Sequence, residues 1–279
     1  MSVAVMLLVL FAALLHASWN ALVKSSPDKF LDIVLVTGGA AVLSAIALPM
    51  LPPPAAASWP YAAASTLIHV VYFLLIGAAY RSGDMGYAYP LMRGLPPLLV
   101  ALASGPLVGE RLGAGEWSGI VCICGGILGL LLTSPVGHGT RRTTQFALLN
   151  ALAIAGYTLV DGTGARLSGQ PASYAMWVFL LTGPPILAYA IARRGADFRA
   201  HLRDRWHLSL LGGACTVGGY ALVLWAMTRA PIAMVAALRE TAILFATAIS
   251  VFLLKERPGR GRPVAAAVIL LGVVVLKLA

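Results

Sequence analysis

Ten apolar runs of about twenty residues, each ended by a short gap of charges and turn residues, constrain this chain more than any other feature. They fall at 2–23, 30–51, 58–80, 85–108, 114–134, 143–161, 173–192, 207–228, 232–254 and 263–278. A helix rises about 1.5 Å per residue, so runs of this length match a hydrocarbon layer about 30 Å thick. Backbone polar groups cannot stay unpaired in lipid, which makes the runs helices. A barrel would need alternating segments of about ten residues, and the sequence has none.

Composition excludes the soluble alternative. Hydrophobic residues make up 59% of the 279 positions, charged residues 11%, and the mean hydropathy is +0.87. A soluble domain carries about 25% charged residues. The net charge of +10 would suggest nucleic acid in a soluble protein. Here Lys and Arg sit in the gaps, so the charge reads as membrane orientation and headgroup contact, with no nucleic-acid partner. Cys122, Cys124 and Cys215 all lie inside apolar runs, an odd number without metal-ligand spacing. They read as small core side chains. The N-terminus lacks the basic stretch of a secretory signal and reads as the first span. The expectation is an all-α integral protein of the cell (inner) membrane.

An internal repeat organises the spans. Tyr72 to Arg81 aligns with Tyr220 to Arg229 at an offset of 148. Arg93, Glu110, Arg111 and Gly126 align with Arg239, Glu256, Arg257 and Gly272 at an offset of 146. Residues 1–135 and 136–279 thus form two five-helix repeats of one membrane domain. Five is odd, so the second half enters the membrane from the opposite side. Such inverted repeats serve alternating access in secondary transporters.

Several residues in the spans are chemically unusual. An ionisable group deep in a span costs about 2.5–3.5 kcal/mol on insertion scales, so Arg93, Arg239 and Glu240 need a reason. One reading is a paired guanidinium clamp for a carboxylate or phosphate. The other is an ion pair that locks two helices together. Glu240 itself is either a protonatable coupling group or a permanent ion-pair partner. His16, Trp19 and Asn20 share one face of span 1 by their spacing. They form a cavity wall, or else serve packing and interhelical hydrogen bonding. His69 and Tyr72 in span 3, Tyr89 in span 4, Asn150 and Tyr157 in span 6, and Tyr220 and Trp225 in span 8 extend that candidate lining. Asp161 completes the span 6 stripe with Asn150 and Tyr157, or else lies at the membrane surface, and Glu240 reads as the only acidic residue deep in a span. Pro90, Pro96 and Pro97 predict a kink in span 4, static or gating. Gly125 and Gly129 read as close helix packing within the protomer. The stretch from Arg193 to Arg205 reads as amphipathic, lying on an anionic leaflet.

The runs HASWNALVK, AYRSGDMGYAYPLMRG, GERL, ALRET and LKER resemble the EamA-type branch of the drug/metabolite transporter superfamily. The resemblance extends over essentially the whole chain. It implies a ten-helix transporter with a central cavity lined by spans 1, 3, 4, 6, 8 and 9, braced by spans 5 and 10. The small multidrug branch relies on a glutamate in the first span, and this chain has none there. Orientation is assigned two ways. The loops with Arg193, Arg194, Arg199, Arg203 and Arg205 face the cytoplasm by the positive-inside rule, leaving both termini outside. The resemblance implies both termini inside.

The expected function is a secondary transporter of a small metabolite, an amino acid or organic anion, working by efflux or exchange. Efflux of cationic or lipophilic drugs is the alternative. An intramembrane lipid-phosphate enzyme using His16, His69 and Arg93 lacks any accompanying catalytic set, so the chain reads as not an enzyme. Its expected partners are a small-molecule substrate and membrane lipids, with no cofactor or metal, as a monomer or homodimer.

Overall fold

The computed structural model describes residues 1–24, 26, 28–82, 85–133, 140–252, 255 and 261–279. The expected repeat boundary between 135 and 136, and Glu256 and Arg257 of the aligned motif, lie outside them. The described chain is helical throughout, without a strand. Its helices are α1 (Val3–Lys24), α2 (Lys29–Ala47), α3 (Trp59–Ser82), α4 (Met85–Gly94), α5 (Pro96–Val108) and α6 (Ala114–Thr133), followed by α7 (Arg141–Ser168), α8 (Pro171–Met227), α9 (Ile232–Arg239), α10 (Ala242–Phe252) and α11 (Gly261–Leu278). Among the described residues, nine stretches are long and apolar enough to cross a membrane. The protein is an integral membrane protein.

The count is nine because the runs at 173–192 and 207–228 merge into α8, which has 57 residues. A straight helix of that length would measure about 85 Å, far more than a bilayer core. Non-helical backbone at Arg194 (φ −147°, ψ 42°) and Arg205 (φ −126°, ψ 19°) breaks it. Both breaks are tied to the start of α2. Arg194 Nη1 meets Asp28 Oδ2 at 2.6 Å, and Arg205 grips both Asp32 oxygens at 3.0 and 2.9 Å. His201 adds a 2.6 Å contact to Asp32, and Phe198 is buried against the α2 side chains Leu31 and Val34. The basic stretch is therefore not only an amphipathic surface for lipid. Half of it turns inward because two aspartates on α2 demand partners. Asp28 also caps α2, accepting from the Leu31 N–H at 3.1 Å. Burial raises the Asp28 pKa, but the Leu31 N–H and Arg194 outweigh it and hold the carboxyl below its ordinary value.

Two expected spans are interrupted. Span 4 divides at Leu95, because Pro96 and Pro97 lack the N–H that would continue the helix, whereas Pro90 is tolerated inside α4. Span 9 divides at Glu240 and Thr241, without proline. There the N–H groups of Glu240 and Thr241 turn back three residues, to the carbonyls of Ala237 and Leu238. In contrast, α7 continues seven residues past its expected end, to Ser168 and the left-handed Gly169 (φ 64°). That extension places Asp161 inside the bundle, with no exposed surface.

Contacts between distant segments define two ends of the bundle. At one end, the α2 start meets the breaks of α8, and Tyr87 of α4 bonds Thr144 of α7. At the other, Trp59 packs on Trp177, and Ala55 donates to Ser168. The largest core cluster fills this second half, with Val5, Leu159, Tyr174 and Ile232 through Leu238 buried.

Small residues set the closest approaches. A Cβ on Gly213 would stand 2.6 Å from the Ala40 nitrogen, and one on Gly212 the same distance from the Val36 side chain. α6 and α11 meet through Gly126 against Ile269 and Gly272 against Ile123, so these two helices run antiparallel. Gly125 and Gly129 do not take part, contrary to expectation. Nothing lies within 4 Å of where their Cβ atoms would be, because Gly119 and Gly126 occupy the packed face of α6. Gly213→Leu is therefore expected to destabilise the protein by at least about 1–3 kcal/mol, the usual range for overpacking. Thermal unfolding in detergent checks this, with Gly125→Leu expected to leave the midpoint unchanged.

Candidate functional site

The first half of the bundle, near the α2 start, is hollow. Its main cavity holds about 880 Å³ of empty space, mouth included. A neighbouring lobe of about 490 Å³ shares His16, Trp19, Ile33, Tyr72, Phe73 and Arg93 with it. Of the residues singled out in the sequence, His16, Trp19, His69, Tyr72, Arg93, Tyr157, Tyr220 and Arg239 line the main cavity. Asn20, Tyr89 and Asn150 line the lobe. They arrive from α1, α3, α4, α7, α8 and α9.

Two singled-out residues lie elsewhere. Trp225 packs on the main core, with the Arg229 guanidinium 5.7 Å from its ring centroid. Five residues separate it from Tyr220, which turns it about 140° around the helix and off the cavity face. Glu240 lines neither space. It sits behind the arginines, 2% exposed.

Arg93 and Arg239 owe their positions to the two broken spans. Each occupies the last turn of a short helix, α4 or α9. The negative end of the helix dipole favours a cation there, which offsets part of the cost of burying a guanidinium. The break also lets the side chain leave the helix beside an open space rather than against lipid. Arg93 Nε pairs with Glu240 Oε2 at 2.8 Å, while Arg239 Nη2 stands 3.7 Å from Oε1, too far for a hydrogen bond. The trio, when ionised, keeps one surplus positive charge. Arg239 lies 6.0 Å from the Tyr157 ring centroid, within cation–π range.

Among the described residues, several buried polar atoms of the lining have no hydrogen-bond partner. Arg93 Nη2, Arg239 Nε and Trp19 Nε1 are donors of this kind, and Asn150 Oδ1, Thr182 Oγ1 and Thr216 Oγ1 join them. Most buried polar groups in proteins are paired, so a cluster of exceptions around one space calls for explanation. Asn20, by contrast, is satisfied along its own helix, donating to the His16 carbonyl at 2.7 Å. The remaining wall is apolar and aromatic, with Val36, Phe73, Val178 and Phe179. His69 stacks on Tyr157 with ring centroids 4.3 Å apart.

Of the two positions open to Asp161, the structure gives the buried one. It accepts hydrogen bonds from the Tyr174 hydroxyl at 2.9 Å and from Tyr220, which itself lines the cavity. Its position four residues after Tyr157 had put it on the cavity face of α7. Glu240 is thus not the sole acid deep in the bundle: Asp161 and Asp32 are buried too.

The half of the bundle that holds the main core cluster contains a second cluster that motif reading alone left unassigned. The left-handed Gly109 (φ 75°) ends α5 and turns Glu110 toward α7 and α9. Glu110 accepts from Arg166 at 2.6 Å and from the Ile232 N–H at 2.7 Å, at the start of α9. Arg166 also donates to the carbonyls of Met227 and Ala230 at 2.8 and 3.1 Å.

A family model described as the EamA-like transporter family matches residues 142–278. No curated protein matches the chain. A solved structure described only as the crystal structure of a protein is 21% identical, with a TM-score of 0.76, and the match covers 100% of this chain and 98% of that one. At that identity the likeness bears on the fold alone.

Proposed function

Because this chain belongs to the drug/metabolite transporter superfamily, as a membrane transporter of small molecules, we propose that it carries a small organic anion or amino acid across the cell membrane. The observation that supports this most is the pair of guanidiniums on broken helices, which face one cavity around a single carboxylate and keep donors unpaired. Arg presents planar forked donors that match a carboxylate. The aromatic and aliphatic walls suit an apolar body attached to that acidic group. A cationic drug would need an unneutralised carboxylate on the cavity wall, and Glu240 sits behind two arginines.

Alternating access in efflux or exchange is the proposed mechanism, within ten spans arranged as two inverted halves. Two observations support that arrangement. The breaks at Arg194 and Arg205 divide α8 into two limbs, each long enough to span. The contacts of α6 with α11 are also reciprocal under the repeat offset: Gly126 meets Ile269, and Ile123 meets Gly272. Equivalent residues exchanging partners is the mark of a two-fold relation, and antiparallel helices place its axis across the bundle, as inversion requires. Discontinuous helices at the substrate site are a recurrent feature of such carriers.

A thermal-shift panel on the purified protein tests the solute class. Carboxylic acids and amino acids with apolar side chains are expected to raise the unfolding midpoint, because a ligand that binds only the folded state stabilises it. Organic cations are expected to leave it unchanged. Stabilisation by the cations alone would overturn the anion reading.

A further inference from the structure

Four acidic side chains are buried or nearly so among the described residues, and three have an arginine. Asp32 has Arg205, Glu110 has Arg166, and Glu240 has Arg93. Asp161 is as deep as any of them, yet no described Lys or Arg forms an ion pair with it. Its polar neighbours are neutral or weakly basic. Tyr174 donates to Oδ1 and Tyr220 to Oδ2, both from α8. Ser65 and His69 face it from α3, and Tyr157 stacks beyond them on α7 itself. Arg239 of α9 acts on the members of this group, through His69, Tyr157 and Tyr220, and forms no ion pair with Asp161. Gly164 makes room for this assembly, since a Cβ there would strike the Tyr174 phenol.

A buried carboxylate without a cation is costly, and a proton is the cheapest way to remove its charge. The charge of Asp161 is therefore the one not fixed by a standing partner. We propose that Asp161, held by the hydroxyls of Tyr174 and Tyr220 beside His69, is a proton-binding site whose occupancy is linked to solute loading. The link to loading rests on the carrier reading above; the proton site does not.

The geometry supplies a route. Tyr220 lines the cavity with the same side chain that bonds Asp161. A hydronium ion entering the cavity gives a proton to the Tyr220 oxygen as the Tyr220 hydroxyl proton passes to Asp161 Oδ2, leaving a water behind, so only O–H bonds are made and broken. His69 offers a parallel acceptor. Its Nδ1 donates to the Ser65 carbonyl at 3.0 Å, which leaves Nε2 as the ring nitrogen that exchanges protons. Neutralising Asp161 removes a negative charge from directly behind the Tyr220 part of the wall. An acidic solute then meets a more positive cavity, so proton and anion load and leave together.

Difference infrared spectroscopy of the purified, full-length protein after a drop in pH tests the site with the proton itself as probe. A protonated-carboxyl stretch is expected in the wild type, retained in Glu240→Gln and lost in Asp161→Asn. Tyr220→Phe removes one hydrogen bond to the carboxyl and is expected to shift the band. Persistence of the band in Asp161→Asn, or an unmoved band in Tyr220→Phe, overturns the proposal. Should no acid stabilise the protein in the thermal panel, the carrier reading fails while the infrared result still stands or falls by itself.

Discussion

Arg93→Ala is expected to abolish solute flux in liposomes and to lower stability by about 3–5 kcal/mol, the usual cost of removing one partner from a buried ion pair. Glu240 would be left with its nearest cation, Arg239, at 3.7 Å, with Oε1 already unpaired and Oε2 losing the Arg93 guanidinium. Arg239→Ala removes no hydrogen-bonded pair, so its loss of stability is expected to be smaller, but its loss of flux equally complete. The double variant Arg93→Met, Glu240→Gln separates the two roles open to this cluster. With both charges gone, the unfolding midpoint is expected to return toward wild type, since replacing a buried pair by neutral groups is often neutral. Flux is expected to stay absent, because the solute has lost a guanidinium. A double variant that regains transport along with stability would reduce Arg93 to a helix lock and remove the clamp.

Glu110→Gln is expected to open the half of the bundle that holds the main core cluster. Hydrogen bonds to a charged group are worth about 1.5–3 kcal/mol each. Glu110 makes two short ones, to Arg166 and to the Ile232 N–H, and Arg166 is 31% exposed, so its share is discounted for solvent screening. A net loss of about 2 kcal/mol shifts a two-state equilibrium roughly thirty-fold toward the form open at this end. A cysteine introduced at Met234, which is 1% exposed, reports the change in a background where the three native cysteines are replaced. Maleimide labelling is expected to be slow with Glu110 present and much faster once Glu110→Gln puts a neutral amide in its place. Equal labelling rates would show that the contact is not a gate, and alternating access would need a different closing element.

Much of this site could be read along the chain because membrane burial makes a charge conspicuous. Arg93, Arg239 and Glu240 stood out as ionised groups in runs that otherwise exclude them, and their residue types alone pointed to an acidic solute. His16, Trp19 and Asn20 shared a helix face by spacing. Asp161 shared a stripe with Asn150 and Tyr157 by spacing, but its place near the end of an apolar run left the membrane surface open as well. Trp225 was misread because aromatic character was weighed without its angle on the helix. Gly125 and Gly129 were misread for a related reason: their spacing puts them on one face, but only the neighbour decides whether that face is packed.

The remaining features depend on partners far away in sequence. Asp161 meets Tyr220 across 59 residues, Glu110 meets Arg166 across 56, and Asp32 meets Arg205 across 173. Periodicity and composition are local quantities, so they determined the solvent of this protein, its helical spans and the unusual charges within them. Which of those charges is neutralised, which faces the cavity and which is left to a proton was decided by packing, because the energy of a buried charge depends on what other helices bring within a few ångströms of it.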